Sequence, residues 1–261
     1  MENLRGPRYR ILKRGVRGAE VEGACALAIM AKAPRAGKVK TRLQPPLSPE
    51  EAAALNVCFL RDTAENISEV AREGDAQGLI CYTPIGDEVA FDGLLPEDFA
   101  LIAQRGEGFG ERLLCAAGDI LSCGFGAVCL IDSDSPTLPA SALRAAISEL
   151  ARPGERVVIG PSNDGGYYLI GMKRPEPRLF DRIAWSTASV FEQTVQRVHE
   201  AQLEMVELPK WYDVDDAATL ALLERELLLE EPPSFASRRG FDARWTREML
   251  AERVRAVGGA L

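Results

Sequence analysis

Histidine is almost absent from this chain. His199 is the only one among 261 residues, and it falls in a polar helical pattern. A His-based nucleophilic triad or a zinc site is therefore all but excluded by inventory. No apolar stretch approaches the length of a membrane span. Arg5, Arg8, Arg10, Lys13, Arg14 and Arg17 crowd the first 23 residues, but no apolar core with a cleavage site follows them. A secretory signal is not expected. Net positive charge is also missing: the balance is −8, which offers no global field for nucleic acid or an anionic membrane. The six cysteines (Cys25, Cys58, Cys81, Cys115, Cys123, Cys129) lack metal-ligand spacing and sit mostly in apolar runs. They read as buried reduced thiols, and a cytoplasmic location is the expectation that follows.

What remains is ordinary globular composition, 46% hydrophobic and 27% charged, in a chain long enough to bury a sizeable core. Strand-like and helix-like segments alternate, which predicts an α/β sandwich around a mixed, mostly parallel sheet. Strands are expected at 25–31, 78–83, 101–104, 127–131, 156–160, 167–172 and 203–208. Helices are expected at about 48–72, 110–122, 139–151, 188–201 and 215–230. The first of these opens on Ser48-Pro49-Glu50-Glu51, an N-cap serine, a proline at N1 and a capping-box glutamate. Residues 1–22 are expected to be a mobile basic extension, 23–231 the α/β domain, and 232–261 a tail. The tail carries a charged amphipathic helix that packs on the domain or on a second subunit, as in a homodimer.

The most informative segment is Asp132-Ser133-Asp134 at the end of the apolar run Ala127–Ile131. Carboxylates two apart in extended chain point to the same side. At a strand end they form a hard-oxygen site suited to Mg²⁺ or Mn²⁺, ions that reach proteins through one or two carboxylates plus substrate phosphates. The alternative is local: Ser135 as N-cap and Pro136 at N1 of a helix.

Directly after the first strand come Lys32, Arg35, Gly37, Lys38, Lys40 and Arg42. Five basic residues in eleven positions of an acidic protein stand at a strand's C-terminal end, where open α/β sheets bind ligands. Gly37 allows backbone approach, and the cations can meet phosphate oxygens. The segment is not a Walker loop, since Val39 stands where Ser or Thr is required. Nor is it a dinucleotide fingerprint, having one glycine where three are needed. Beside an Asp-x-Asp on another strand, it points to a nucleotide diphosphate site, with metal and cations together neutralising a diphosphate leaving group. Two further sites follow. Asp164-Gly165-Gly166-Tyr167 is either an ordinary hairpin turn or a ligand loop in which Asp164 meets a sugar hydroxyl or an acceptor proton. In Asp213-Val214-Asp215, one carboxylate suits a metal while Asp215 alternatively caps the following helix. Trp185-Ser186-Thr187 reads at least as well as a helix cap with a packed indole as it does as a binding segment.

The ordered set AKAPRAGKVKTRL, GFGERL, IDSDSPTLP, GPSNDGGYYLIG, WST and WYDVDDAATL resembles a bacterial family of small GT-A-type transferases, over about residues 24–226. Its members are often called selenodomain-associated or arsenosugar-biosynthesis glycosyltransferases. The resemblance implies the nucleotide-diphospho-sugar transferase fold. It also implies metal-binding Asp132, Asp134 and Asp215, a phosphate-facing Lys38, Lys40 and Arg42, and a substrate-side Asp164, Gly165, Gly166 and Tyr167. Neighbouring guanylyl- and cytidylyltransferases look similar in motif order, but many pyrophosphorylase-like members of the fold carry a multi-glycine first loop where this chain has only Gly37. The leading expectation is a metal-dependent glycosyltransferase that takes a nucleotide-sugar and a small-molecule acceptor, with Asp134, Lys38 and Asp164 as its catalytic set. The alternative is a nucleotidyltransferase acting on an NTP and a phosphorylated or acidic small molecule.

Overall fold

Period-two burial along the strands builds one sheet with two covered faces. In β2 (Cys25–Lys32), Cys25, Leu27, Ile29 and Ala31 face one core while Ala26 and Ala28 face the other. β5 (Ala127–Ile131) repeats the pattern, with Cys129 and Ile131 on one side and Val128 and Leu130 on the other. Such doubly buried strands read as continuous apolar runs, as parallel sheets require. The computed structural model describes residues 8–258. The remaining strands are β1 (Arg10–Ile11), β3 (Ala76–Thr83), β4 (Ala100–Ala103), β6 (Arg156–Pro161), β7 (Tyr167–Met172) and β8 (Glu204–Glu207). Their order is β1-β4-β3-β2-β5-β7-β6-β8. β7 alone runs antiparallel to its neighbours β5 and β6, and every other pairing is parallel. This is the mixed, mostly parallel α/β sandwich expected from the sequence.

One face is covered by α1 (Pro49–Ala71), α3 (Ala140–Ala151), α5 (Ala217–Leu228) and α6 (Arg244–Gly258), through Leu55, Phe59, Leu143, Leu220 and Leu250. The other is covered by α2 (Phe109–Ser122) and α4 (Val190–Glu200), through Leu113, Ile120 and Val198. The α1 start forms the expected capping box: Glu51 N–H donates to Ser48 Oγ at 3.1 Å, and Ser48 N–H to Glu51 Oε2 at 2.7 Å. All six cysteines are free.

One expectation about the ends is revised and an open one is decided. The basic segment is not a free extension from residue 8 onward. Arg10 and Ile11 add an edge strand beside β4, and the buried Tyr9 hydroxyl donates to Leu95 O at 2.8 Å and accepts Leu95 N–H at 3.0 Å. An aromatic with its hydroxyl satisfied outweighs the arginines around it; residues 1–7 lie outside the described residues. In the tail, α6 packs on the domain itself. The α1 residue Asp62 caps it from outside, accepting Trp245 N–H at 3.0 Å, Thr246 N–H at 2.9 Å and Thr246 Oγ1–H at 2.6 Å. No helix is long and apolar enough to cross a membrane among the described residues.

Candidate active site

Every site segment emerges at one edge of the sheet. β2, β5, β6 and β8 end there, and antiparallel β7 begins there, so the β6–β7 turn and residues 211–215 join the loops after β2 and β5. This is where an open α/β sheet forms its ligand crevice. Backbone bonds stitch the pieces together: Val214 N–H donates to Asp134 O at 2.9 Å, and Trp211 N–H to Pro161 O at 3.1 Å.

Two cavities open on this edge. The larger, about 520 Å³, is acidic and aromatic. Asp132, Asp134, Asp164, Asp213 and Asp215 line it beside Tyr167, Trp185 and Phe109, and Arg42 is its one cationic lining residue among those described. The smaller, about 270 Å³, is basic: Lys32, Lys38, Lys40 and Arg42 face Asp134 and Asp215. Asp134, Asp215 and Arg42 line both, so they form the wall between them.

Lys40 is the keystone of that wall. Its backbone is left-handed at φ +48°, and its side chain is 4% exposed. Nζ reaches Asp134 Oδ1 at 2.8 Å, Asp215 Oδ1 at 3.1 Å and Val214 O at 2.7 Å, and lies 5.3 Å from the Phe59 ring centroid. Burial works against its charge, but the two carboxylates outweigh that and hold its pKa above the ordinary lysine value. Arg42 stands 3.9 Å from Asp215 and is largely exposed. Arg35 is turned away: it pairs with Asp87 at 2.5 Å and lines neither cavity, and Gly37 lines neither, serving instead the turn at φ +69°.

Asp132 and Asp134 follow the end of β5 in a bend rather than in extended chain, yet both line the larger cavity, and the local capping alternative does not hold. α3 begins at Ala140, and Ser135 Oγ–H instead donates to Asp132 Oδ2 at 2.8 Å. Asp134 N–H donates to Asp132 Oδ1 at 3.2 Å. Burial, then Asp134 and Asp213, push the Asp132 pKa well above the usual carboxylate range. Asp213 is pushed up by burial and by Asp164 and Asp215, against a 2.6 Å hydrogen bond from Ser162. Nor does Asp215 cap α5. Asp216 does, accepting Thr219 N–H at 2.9 Å, which leaves Asp215 to the cavity wall.

This crowd of hard oxygen donors suits Mg²⁺ or Mn²⁺. Among the described residues, however, no three acidic, cysteine or histidine side chains gather around one point. The donor set fits an ion held by one or two carboxylates and completed by substrate phosphates.

The β6–β7 turn holds its shape through Gly165. Its φ is +91°, and a Cβ there would overlap the Ala188 carbonyl. Gly165 O also accepts Phe191 N–H at 2.8 Å. The close approach docks residues 185–188 over the larger cavity. Asp164 Oδ1 accepts Gly166 N–H at 2.8 Å, and Asp164 is exposed at the cavity rim. Trp185 meets Phe109 edge-on at 5.1 Å between centroids, forming an aromatic lip. Phe109 and Ser162 lie inside the GFGERL and GPSNDGGYYLIG motifs but were not singled out as site residues, and tertiary placement brings each to the cavity.

Three comparisons bear on this geometry. Residues 66–187 match the family model described as "Uncharacterized protein conserved in bacteria (DUF2064)". No curated protein matches the chain. Among solved structures, a protein of Desulfovibrio desulfuricans G20, provisionally named a nucleotide-diphospho-sugar transferase, is 32% identical, with a TM-score of 0.73 over 88% of this chain and 98% of that one. A CMP:2-keto-3-deoxy-manno-octonic acid synthetase complexed with CTP is 14% identical, with a TM-score of 0.50 over 80% of this chain and 100% of that one. A nucleotidyl transferase from Methanothermobacter thermautotroptrophicus has the same identity and TM-score, over 80% of this chain and 99% of that one. The last two share the fold.

Proposed function

This chain belongs to one family with the Desulfovibrio protein and carries the DUF2064 segment, and from that premise we propose that it is a metal-dependent glycosyltransferase moving a sugar from a nucleotide-diphospho-sugar to a small-molecule acceptor. The observation that carries this reading is the meeting of a basic cavity and an acidic, aromatic one at a shared Asp134–Asp215 wall. In this reading the donor's diphosphate lies in the basic cavity, and Lys32, Lys38 and Arg42 neutralise it as the sugar departs. Asp134 and Asp215, with Asp132 behind them, would hold the Mg²⁺ or Mn²⁺. When bound, the ion supplies charge neutralisation at the leaving diphosphate. The acceptor enters the larger cavity against the Trp185–Phe109 lip, where Asp164 orients its hydroxyl or takes its proton. Arsenosugar-type chemistry, suggested by the motif resemblance, is the finer form of the same proposal.

Nucleotidyl transfer onto a phosphorylated or acidic acceptor is less well supported. It would bring a second anion among five aspartates with Arg42 as the one lining cation. Asp134→Ala tests the reading. The variant is expected to keep the fold and lose metal-dependent turnover of nucleotide-sugar; full activity would overturn the metal assignment.

A further inference from the structure

The basic cavity has a wall that the cationic loop does not supply. Asn56, in the middle of α1, lines it beside Lys32, Lys38, Lys40 and Arg42. Asn56 is 4% exposed, and its Oδ1 is buried without a hydrogen-bond partner. Nothing local accounts for an asparagine there. It lies seven residues inside a 23-residue helix, far from either cap, and asparagine is a poor helix former in such positions. A buried amide in mid-helix is unfavourable for the fold, and its place there calls for a specific explanation. Its position gives one. Phe59, three residues on and so on the same helical face, lies under the Lys40 ammonium. Asn56 therefore presents its amide to the cavity beside the cations.

Four cations against two carboxylates leave the cavity lining with a net charge of about +2 (4 − 2), matched to a diphosphate. We propose that Asn56 is a binding residue for that diphosphate, its amide N–H donating to a phosphate oxygen; the buried Oδ1, an acceptor, takes no part in that contact. This rests on the reading above that a diphosphate occupies the basic cavity. The amide adds direction where the lysines supply only charge.

The test pairs stability with affinity, because a ligand contact and a structural residue move them in opposite ways. Asn56→Leu is close in shape and removes both polar atoms; Asn56→Ala removes the amide with less crowding. Each is compared with the wild-type protein in thermal melts and in calorimetric titration with magnesium pyrophosphate. The expected result is that Asn56→Leu melts at or above the wild-type temperature and binds pyrophosphate at least about tenfold more weakly, a change of about 1.4 kcal/mol, with Asn56→Ala binding as weakly. A folded variant that binds pyrophosphate like the wild type overturns the proposal, as does a lowered melting temperature with unchanged affinity. If the wild-type protein binds no pyrophosphate, the diphosphate reading itself falls and takes this proposal with it.

Discussion

Replacing Lys40 with methionine removes the ammonium that holds Asp134 and Asp215 together while keeping most of the apolar stem over Phe59. Breaking a fully buried ion pair by removing one partner costs about 3–5 kcal/mol. Here the lysine is buried, but Asp134 and Asp215 are 30% and 41% exposed, so water screens part of the repulsion left behind. A destabilisation of about 2 kcal/mol follows, or a fall of roughly 4–8 °C in melting temperature for a chain of this size. The assay is a thermal melt at neutral pH, with and without millimolar Mn²⁺. The variant leaves two carboxylates facing one another with no ammonium between them, so Mn²⁺ should raise its melting temperature more than it raises that of the wild type. A variant that melts like the wild type would refute the keystone role of Lys40. Equal Mn²⁺ shifts in both proteins would refute the idea that removing the ammonium frees Asp134 and Asp215 for the ion.

Asp62 gives a pH prediction. Burial, opposed by its hydrogen bonds from Thr246 and Trp245, pushes its pKa up to about 6. The folded state therefore holds this proton more tightly than the unfolded chain, and the Asp62 contribution to stability falls as pH rises from about 4 through about 6, by about 3 kcal/mol in all. Asp62→Asn should flatten the stability profile across that window in urea titrations; an unchanged slope would contradict the assignment. Gly165→Ala should cost about 2 kcal/mol or more, because it forces a Cβ against the Ala188 carbonyl at positive φ; a melting temperature equal to wild type would show that the turn yields. Trp185→Ala should cost about 1 kcal/mol of stability from the lost aromatic pair. It should also raise the acceptor KM more than the donor KM in steady-state kinetics; the reverse split would move the acceptor out of the larger cavity.

The elements that carry a strong local signal were legible. β5 and β7 fall where apolar runs and chain punctuation predict, and α1 starts at Ser48 because its capping box is written in four consecutive residues. The Asp132/Asp134 pair and the cationic loop were also legible, since both follow apolar runs whose ends face the crevice. What was not legible depends on contacts distant in sequence. Tyr9 anchors the basic segment through Leu95, 86 residues away. Asp62 caps a helix that begins more than 180 residues later. No local pattern separates Asp215 from Asp216 as the helix cap, and the structure gives that role to Asp216. Lys40 and Arg35 look equivalent in the loop, yet one is buried between two carboxylates and the other pairs outward with Asp87. Asn56 reads as one more residue of a helix until the cavity beside it is seen.

The most direct test of the glycosyltransferase reading is a thermal-shift panel of nucleotide-sugars, nucleoside diphosphates and nucleoside triphosphates, each with and without Mg²⁺ or Mn²⁺. A ligand present at about 100 times its Kd stabilises the native state by about 2.7 kcal/mol, a readable shift. The account predicts metal-dependent stabilisation by one nucleotide-sugar and by its nucleoside diphosphate. Stabilisation by a nucleoside triphosphate in preference to both would contradict it and favour nucleotidyl transfer.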